Sequence, residues 1–325
     1  MLASQEPGGL NDVMGGGGAM SGIRSSDQGG VTSRIRALIK LLGDESPTVF
    51  RAARAHLRGL GERARPFVER ASVESDDSRT RVRARELLVG FERRDVLEEW
   101  DDFCRGEKDL EKGALLLARV ENPNFSDSDA TRRLDEYAEI LRARLTTARS
   151  TRVAVRRASQ LLGRELGFAG DSEDYANPES SFLHRVLETK RGLPILLSSV
   201  YLCVARRASL PLEGVGLPLH FLLRYPIGSK FAFLDPFHAG KEVSARDCRK
   251  LLEQHGIQFR DAFLRRVHDQ EILSRILGNL LRLYHSKGDQ ERVGRTLEML
   301  RSLDREASPA VPELGTPAGD ERERS

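Results

Sequence analysis

The sequence predicts an α+β protein that is mainly helical and carries one small antiparallel sheet. Three observations carry that expectation. Apolar residues recur at spacings of three and four through most of the chain from Val31 onward, the spacing of amphipathic helices. The segment from Pro194 to about Ala208 is apolar on nearly every side, as a helix enclosed by its neighbours must be. Beyond Pro211 the period falls to two and stays there through Asp235, the clear β-region of the chain.

In chain order, residues 1–30 (MLASQEPGGLNDVMGGGGAMSGIRSSDQGG) lack the charged start and apolar stretch of a signal peptide, and their glycine content predicts a disordered leader. Ile35, Leu38, Ile39 and Leu42 then line one helix face. Ser46 and Pro47 supply an N-cap and a first-turn proline, and Val49, Phe50, Ala53, Leu57 and Leu60 resume the stripe. A third helix follows Pro66. Residues 31–105 resemble one or two HEAT-type units, and their plain reading is an all-helical packing module.

A central domain is expected over residues 106–255. It opens with three amphipathic helices between Asp109 and Leu166, with Leu134, Tyr137, Leu141 and Leu145 on one face of the second. A loop and a helix ending near Arg191 lead to a Gly-Leu-Pro turn and the buried helix from Pro194. After the β-region, residues 256–306 read as a helix, a turn at Gly288 and Asp289, and a second helix, with Leu280, Tyr284, Leu297 and Leu300 at core spacing. This hairpin resembles a tetratricopeptide unit, and a helical cap over the sheet is the plainer reading. Residues 307–325 are too rich in proline and charge to fold.

Composition narrows the function. At 325 residues the chain has room for about two or three units that each bury a core. Its 52 Lys and Arg nearly cancel its 49 Asp and Glu, leaving a formal charge of +3 without a basic stripe, which argues against nucleic acid as a partner. No window reaches the roughly 18 apolar residues of a membrane span. The three cysteines, Cys104, Cys203 and Cys248, are odd in number, far apart and without a C-x-x-C pair, so a reducing, cytoplasmic compartment is expected.

The candidate chemistry lies in GVGLPLHFLLRYPIGSKFAFLDPFHAG, residues 214–240. With Pro226 to Ser229 as a four-residue loop, Tyr225 faces Lys230, and counting outward sets His220 opposite Asp235. Cross-strand Cβ atoms lie about 4.5–5.5 Å apart, close enough for the carboxylate to accept the imidazole Nδ1 proton. A register slip of one residue would dissolve the pair. His238, just past Pro236, would make a third donor in a set of two imidazoles and one carboxylate able to hold Zn or Fe. Its spacing matches no metal motif, however, so it reads as a loop histidine, and neither metal nor cofactor is expected.

Around these residues, NPESSFLHRVLETKRGLPILLSSVYLCVARRASLPLEGVGLPLHFLLRY and FLDPFHAG resemble the transglutaminase-like superfamily, and more closely its SirB-one branch, over about Asp171 to Leu252. The preceding DLEKGALLLARVENP and the tetratricopeptide-like end also match that arrangement. The resemblance implies cysteine-protease chemistry built from a Gly-x-Cys opening the buried helix, a His on the next strand and an Asp on the one after. Gly192, His220 and Asp235 align with that frame, and Pro194 occupies the position of the nucleophile.

Proline has neither a nucleophilic side chain nor an N–H for an oxyanion, so acyl transfer by that route is excluded. Cys203 sits on the far side of the helix, roughly 13.5 Å along its axis. Ser198 is one turn deeper, about 6 Å from the required place, and reads as a packing serine. Cys248 reads as a half-buried helix residue. Asn177, Glu179 and Ser180 are expected to cap the next helix, and Arg191 to anchor an anion beside Gly192 or form a surface ion pair. Ligand contacts are therefore assigned to Arg191, Gly192, Asn177 and His238. The expected function is that of a noncatalytic binding or scaffold protein with a protein or peptide partner on its helical flanks. The alternative is a hydrolase or transferase using His220 and Asp235 as a general base pair, with or without the aid of a metal.

Overall fold

The computed structural model describes residues 22–123, 125–170 and 176–305. Most of the expected leader and the whole expected tail lie outside these. The chain divides into two compact units, Met1–Glu92 and Arg93–Ser325.

In the first unit, α1 (Gly22–Leu42) starts ahead of the expected Val31. It is followed by α2 (Pro47–Leu60) and α3 (Arg65–Glu74), while α4 (Ser78–Arg105) begins here and ends in the second unit. Pro47 opens α2 behind Ser46, as its fixed φ and missing N–H favour. The apolar stripe of the sequence closes on itself: Ile35, Leu42, Ala53, Leu57, Val68, Leu87 and Phe91 form one buried cluster.

The second unit holds the site. Its helices α5 (Leu110–Glu121), α6 (Asp127–Leu145) and α7 (Thr151–Ser159) are the three expected, and α7 continues into a π-helical turn at Gln160–Glu165. Asp109 and Ser150 cap α5 and α7 by accepting the Lys112 and Val153 backbone N–H groups. A short α8 (Leu183–Thr189) ends at Lys190, whose φ of 63° turns the chain out of the helix. Then comes α9 (Pro194–Arg207), buried at every position from Pro194 to Ala205. Its surroundings explain the all-round apolar sequence: it packs against α5, α6, α8, α11 (Asp269–Ser286) and the sheet. At its exit Arg207 pairs with Glu111 and Asp135, and Arg206 with Asp269, tying α9 to α5, α6 and α11.

The sheet contains β1 (Glu213–Val215), β2 (Leu222–Ile227), β3 (Lys230–Asp235), β4 (Lys241–Val243) and β5 (Arg266–Val267), in the order β4-β3-β2-β1-β5 with antiparallel neighbours. Between β4 and β5 lies α10 (Ala245–Gln254). The capped helix α12 (Gln290–Asp304) follows α11 through a turn at Gly288, where φ is 71°.

The hairpin register differs from the expected one. Ile227 pairs with Lys230 and Tyr225 with Ala232, so the loop is Gly228 and Ser229 alone. Gly228 adopts φ of 58°, the conformation that two-residue hairpins demand and that Gly accepts without strain. The whole ladder is thereby displaced by two residues. Because side chains alternate with a period of two, each keeps its expected face.

Candidate functional site

The shortened loop leaves His220 ahead of the first residue of β2, in a turn where its backbone N–H bonds to the Leu217 carbonyl and Leu219 takes φ of 65°. Arg275 of α11 donates to the same carbonyl, at 2.9 Å. His220 is therefore placed by a turn braced from behind, not by a cross-strand neighbour.

The expected contact with Asp235 still forms, through the other nitrogen: His220 Nε2 lies 2.9 Å from Asp235 Oδ2. Entering from a turn ahead of the strand, the ring meets the carboxylate with its far nitrogen, where a directly opposed strand residue was expected to offer Nδ1. His238 completes the group. Its Nδ1 lies 2.7 Å from the same Oδ2, while the Phe237 N–H donates to Oδ1 at 3.0 Å. Asp235 thus caps the 3₁₀ turn Pro236–His238 that carries His238. The loop histidine folds back onto the carboxylate, with its side chain 62% exposed against 11% for His220 and 6% for Asp235.

Three glycines allow this loop its position. A Cβ on Gly163, in the π turn, would stand 2.2 Å from the Ala239 carbonyl oxygen. One on Gly170 would enter the Phe237 ring, and one on Gly240 would meet Ser159 at 2.8 Å. The Gly170 N–H also donates to the Phe237 carbonyl at 2.8 Å. Phe237 meets both imidazoles edge to face, with ring centroids 5.8 Å and 5.3 Å away.

Burial would by itself raise the Asp235 pKa. The hydrogen bonds and charge of His220, then of His238, outweigh it and hold the carboxyl below its ordinary value. An ionised carboxylate accepts, so the ring nitrogens on Oδ2 are the donors, and His220 Nδ1 and His238 Nε2 are the nitrogens left outside the contact.

At the expected nucleophile position, Pro194 opens α9 from a buried site. Gly192 is buried, and a Cβ there would lie 2.4 Å from the Val186 side chain. Ser198 is fully buried, and its Oγ has no hydrogen-bond partner among the described residues. The thiols are buried as well. Desolvation pushes Cys203 strongly upward and Cys104 and Cys248 up to about 11, the opposite of an activated cysteine. Cys248, at 3% exposure, is more buried than its spacing suggested, because its face of α10 closes on Val215, Leu217 and Leu222. Asn177 caps the 3₁₀ turn Pro178–Ser181, accepting the Glu179 N–H. Arg191 is exposed and bridges to Ala169 through its backbone. No hydrogen bond or ion pair joins Asn177 or Arg191 to the His220, Asp235 and His238 group among the described residues.

Tyr201 escaped sequence reasoning. It is fully buried on α9, its hydroxyl has no partner among the described residues, and burial first, then the Asp235 charge, raises its pKa. Only its place in an apolar helix marked it. Removing an unpaired buried hydroxyl should not destabilise, so Tyr201→Phe is expected to be neutral or to gain about 1 kcal/mol in urea unfolding. A clear loss of stability would mean that the hydroxyl has a partner.

Residues 128–278 match the transglutaminase-like superfamily, so the chain carries a transglutaminase-like domain set among helices. A protein of Xylella fastidiosa strain 9a5c titled UPF0162 protein is 31% identical over 196 residues, which cover 58% of this chain and 70% of that relative. The chain belongs to the UPF0162 family. A UPF0162 protein of Pseudomonas aeruginosa is 35% identical over 185 residues, 55% of this chain and 66% of that one. Human F-box only protein 21 is 28% identical over 255 residues, 68% of this chain but 40% of that protein. No solved structure matches.

Proposed function

We propose that this chain is a noncatalytic, cytoplasmic transglutaminase-like protein of the SirB-one branch, which binds a protein or peptide through its cleft and helical flanks. The observation that carries this reading is Pro194 at the head of α9, where the superfamily's chemistry needs a thiol on a residue with an N–H. Ser198 supports it, since its hydroxyl bonds to no group among the described residues, and the three thiols are held protonated by burial. The flanks proposed to recruit the partner are the HEAT-like helices α1–α3 and the tetratricopeptide-like pair α11–α12. The likeness to proteins titled F-box only protein agrees with a protein partner. No helix among the described residues is long and apolar enough to cross a membrane.

A second reading is favoured by the 2.9 Å contact of His220 with Asp235: a hydrolase or transferase with the imidazole as general base. His220→Ala separates the two. Amine incorporation into a glutamine peptide, and ester and amide hydrolysis, are expected at background rate for both the native chain and the variant, with partner capture unchanged. Turnover that disappears in the folded variant would establish the enzyme instead.

A further inference from the structure

The geometry points to a binding site for a divalent transition metal formed by His220, Asp235 and His238. The inference goes beyond the binding role proposed above and does not depend on it. One donor atom from each residue lies within 4.8 Å of the other two. Both imidazole nitrogens are already in contact with the same carboxylate oxygen, at 2.9 Å and 2.7 Å. Two imidazoles and one carboxylate form a set that zinc, iron(II) and cobalt(II) accept, whereas magnesium and calcium prefer oxygen alone.

Convergence by itself would be weak, because a carboxylate also gathers imidazoles by hydrogen bonding. The scaffold behind His238 adds to it. Asp235 uses Oδ1 to hold the Phe237 N–H, which turns Oδ2 toward both rings. The loop backbone is locked where Gly163, Gly170 and Gly240 meet it without side chains, and Ala239 and Gly240 take φ of 53° and 73°. An exposed histidine with no task would not need a backbone so closely fitted from a segment far away in sequence. Held this way, the donors are ordered before any ion arrives, so binding spends little entropy on arranging them.

On binding, the two N–H···O contacts give way to two N–metal bonds, and each neutral ring carries its proton on the opposite nitrogen, Nδ1 of His220 and Nε2 of His238. The buried side of the ion is closed by His220 and Asp235. Its open side lies at the exposed His238, leaving positions for water or for a carboxylate or carbonyl of a ligand.

The test uses the full chain without an affinity tag, stripped with chelator, desalted and titrated with zinc chloride by calorimetry, with cobalt(II) as the spectroscopic probe. Binding of one equivalent of zinc and visible cobalt bands of a nitrogen and oxygen site are expected. His238→Ala removes an exposed side chain and should keep the native circular dichroism while weakening zinc about 100-fold. Asp235→Asn should weaken it as well. Absence of zinc binding, equal affinity in His238→Ala, or equally tight magnesium binding would each overturn the assignment and leave a purely hydrogen-bonded cluster.

Discussion

Gly163→Ala is expected to destabilise the second unit by about 3 kcal/mol or more, lowering Tm by on the order of 8 °C. The added methyl would stand 2.2 Å from the Ala239 carbonyl oxygen and 2.5 Å from its carbon, both main-chain atoms, and 2.9 Å from the Tyr201 hydroxyl. A flexible side chain could swing aside, but a backbone carbonyl moves only by taking residues 236–240 with it. The damage should therefore reach the site: His238 leaves Asp235, and its ring NMR signals move from their native positions at fixed pH. Gly278→Ala in α11 provides the opposite sign, because nothing lies within 4 Å of its new methyl. Alanine there should stabilise by about 0.5–1 kcal/mol through helix propensity. Equal effects from the two substitutions would show that Gly163 carries no packing constraint.

This contrast shows what the sequence could and could not disclose. Elements whose cause is local were legible. Pro47 and Pro194 open helices, and the turn at Gly288 and Asp289 leads one helix into the next. The alternation through β2 and β3 was legible too, because burial on one face imposes it. The loop length was not, since Pro226 and Ile227 read equally well as loop or strand until Ile227 is seen paired with Lys230. The short strands β4 and β5 carry no periodic signal in two or three residues. The position of His238 depends on Gly163 and Gly170, which belong to a segment distant in sequence. An isolated glycine within a helical pattern was the available hint of a close approach. The contact of His220 with Asp235 forms despite the wrong register because the turn after Leu217, not the ladder, carries the ring to the carboxylate.

Asp235→Asn is expected to cost about 2–3 kcal/mol near neutral pH. The native carboxylate receives His220, His238 and the Phe237 N–H, with its side chain 6% exposed, and the amide lacks both the charge and one acceptor oxygen. The pH dependence has a definite sign. The carboxyl of folded Asp235 is held below its ordinary value, so the unfolded chain takes up its proton first as pH falls. Its contribution is fully present above the unfolded carboxylate pKa of about 3.9 and is lost as pH drops through the lower folded value. The stability difference between native and Asp235→Asn chains is followed by urea unfolding in chelated buffer from about pH 5 downward, the window in which the carboxylate titrates. Below about 4 it should shrink. A gap that widens below about pH 4 would mean that burial outweighs the two imidazoles and that the carboxyl is held neutral. The shared oxygen would then carry a proton and donate it to one of the rings, in place of the anion around which both gather.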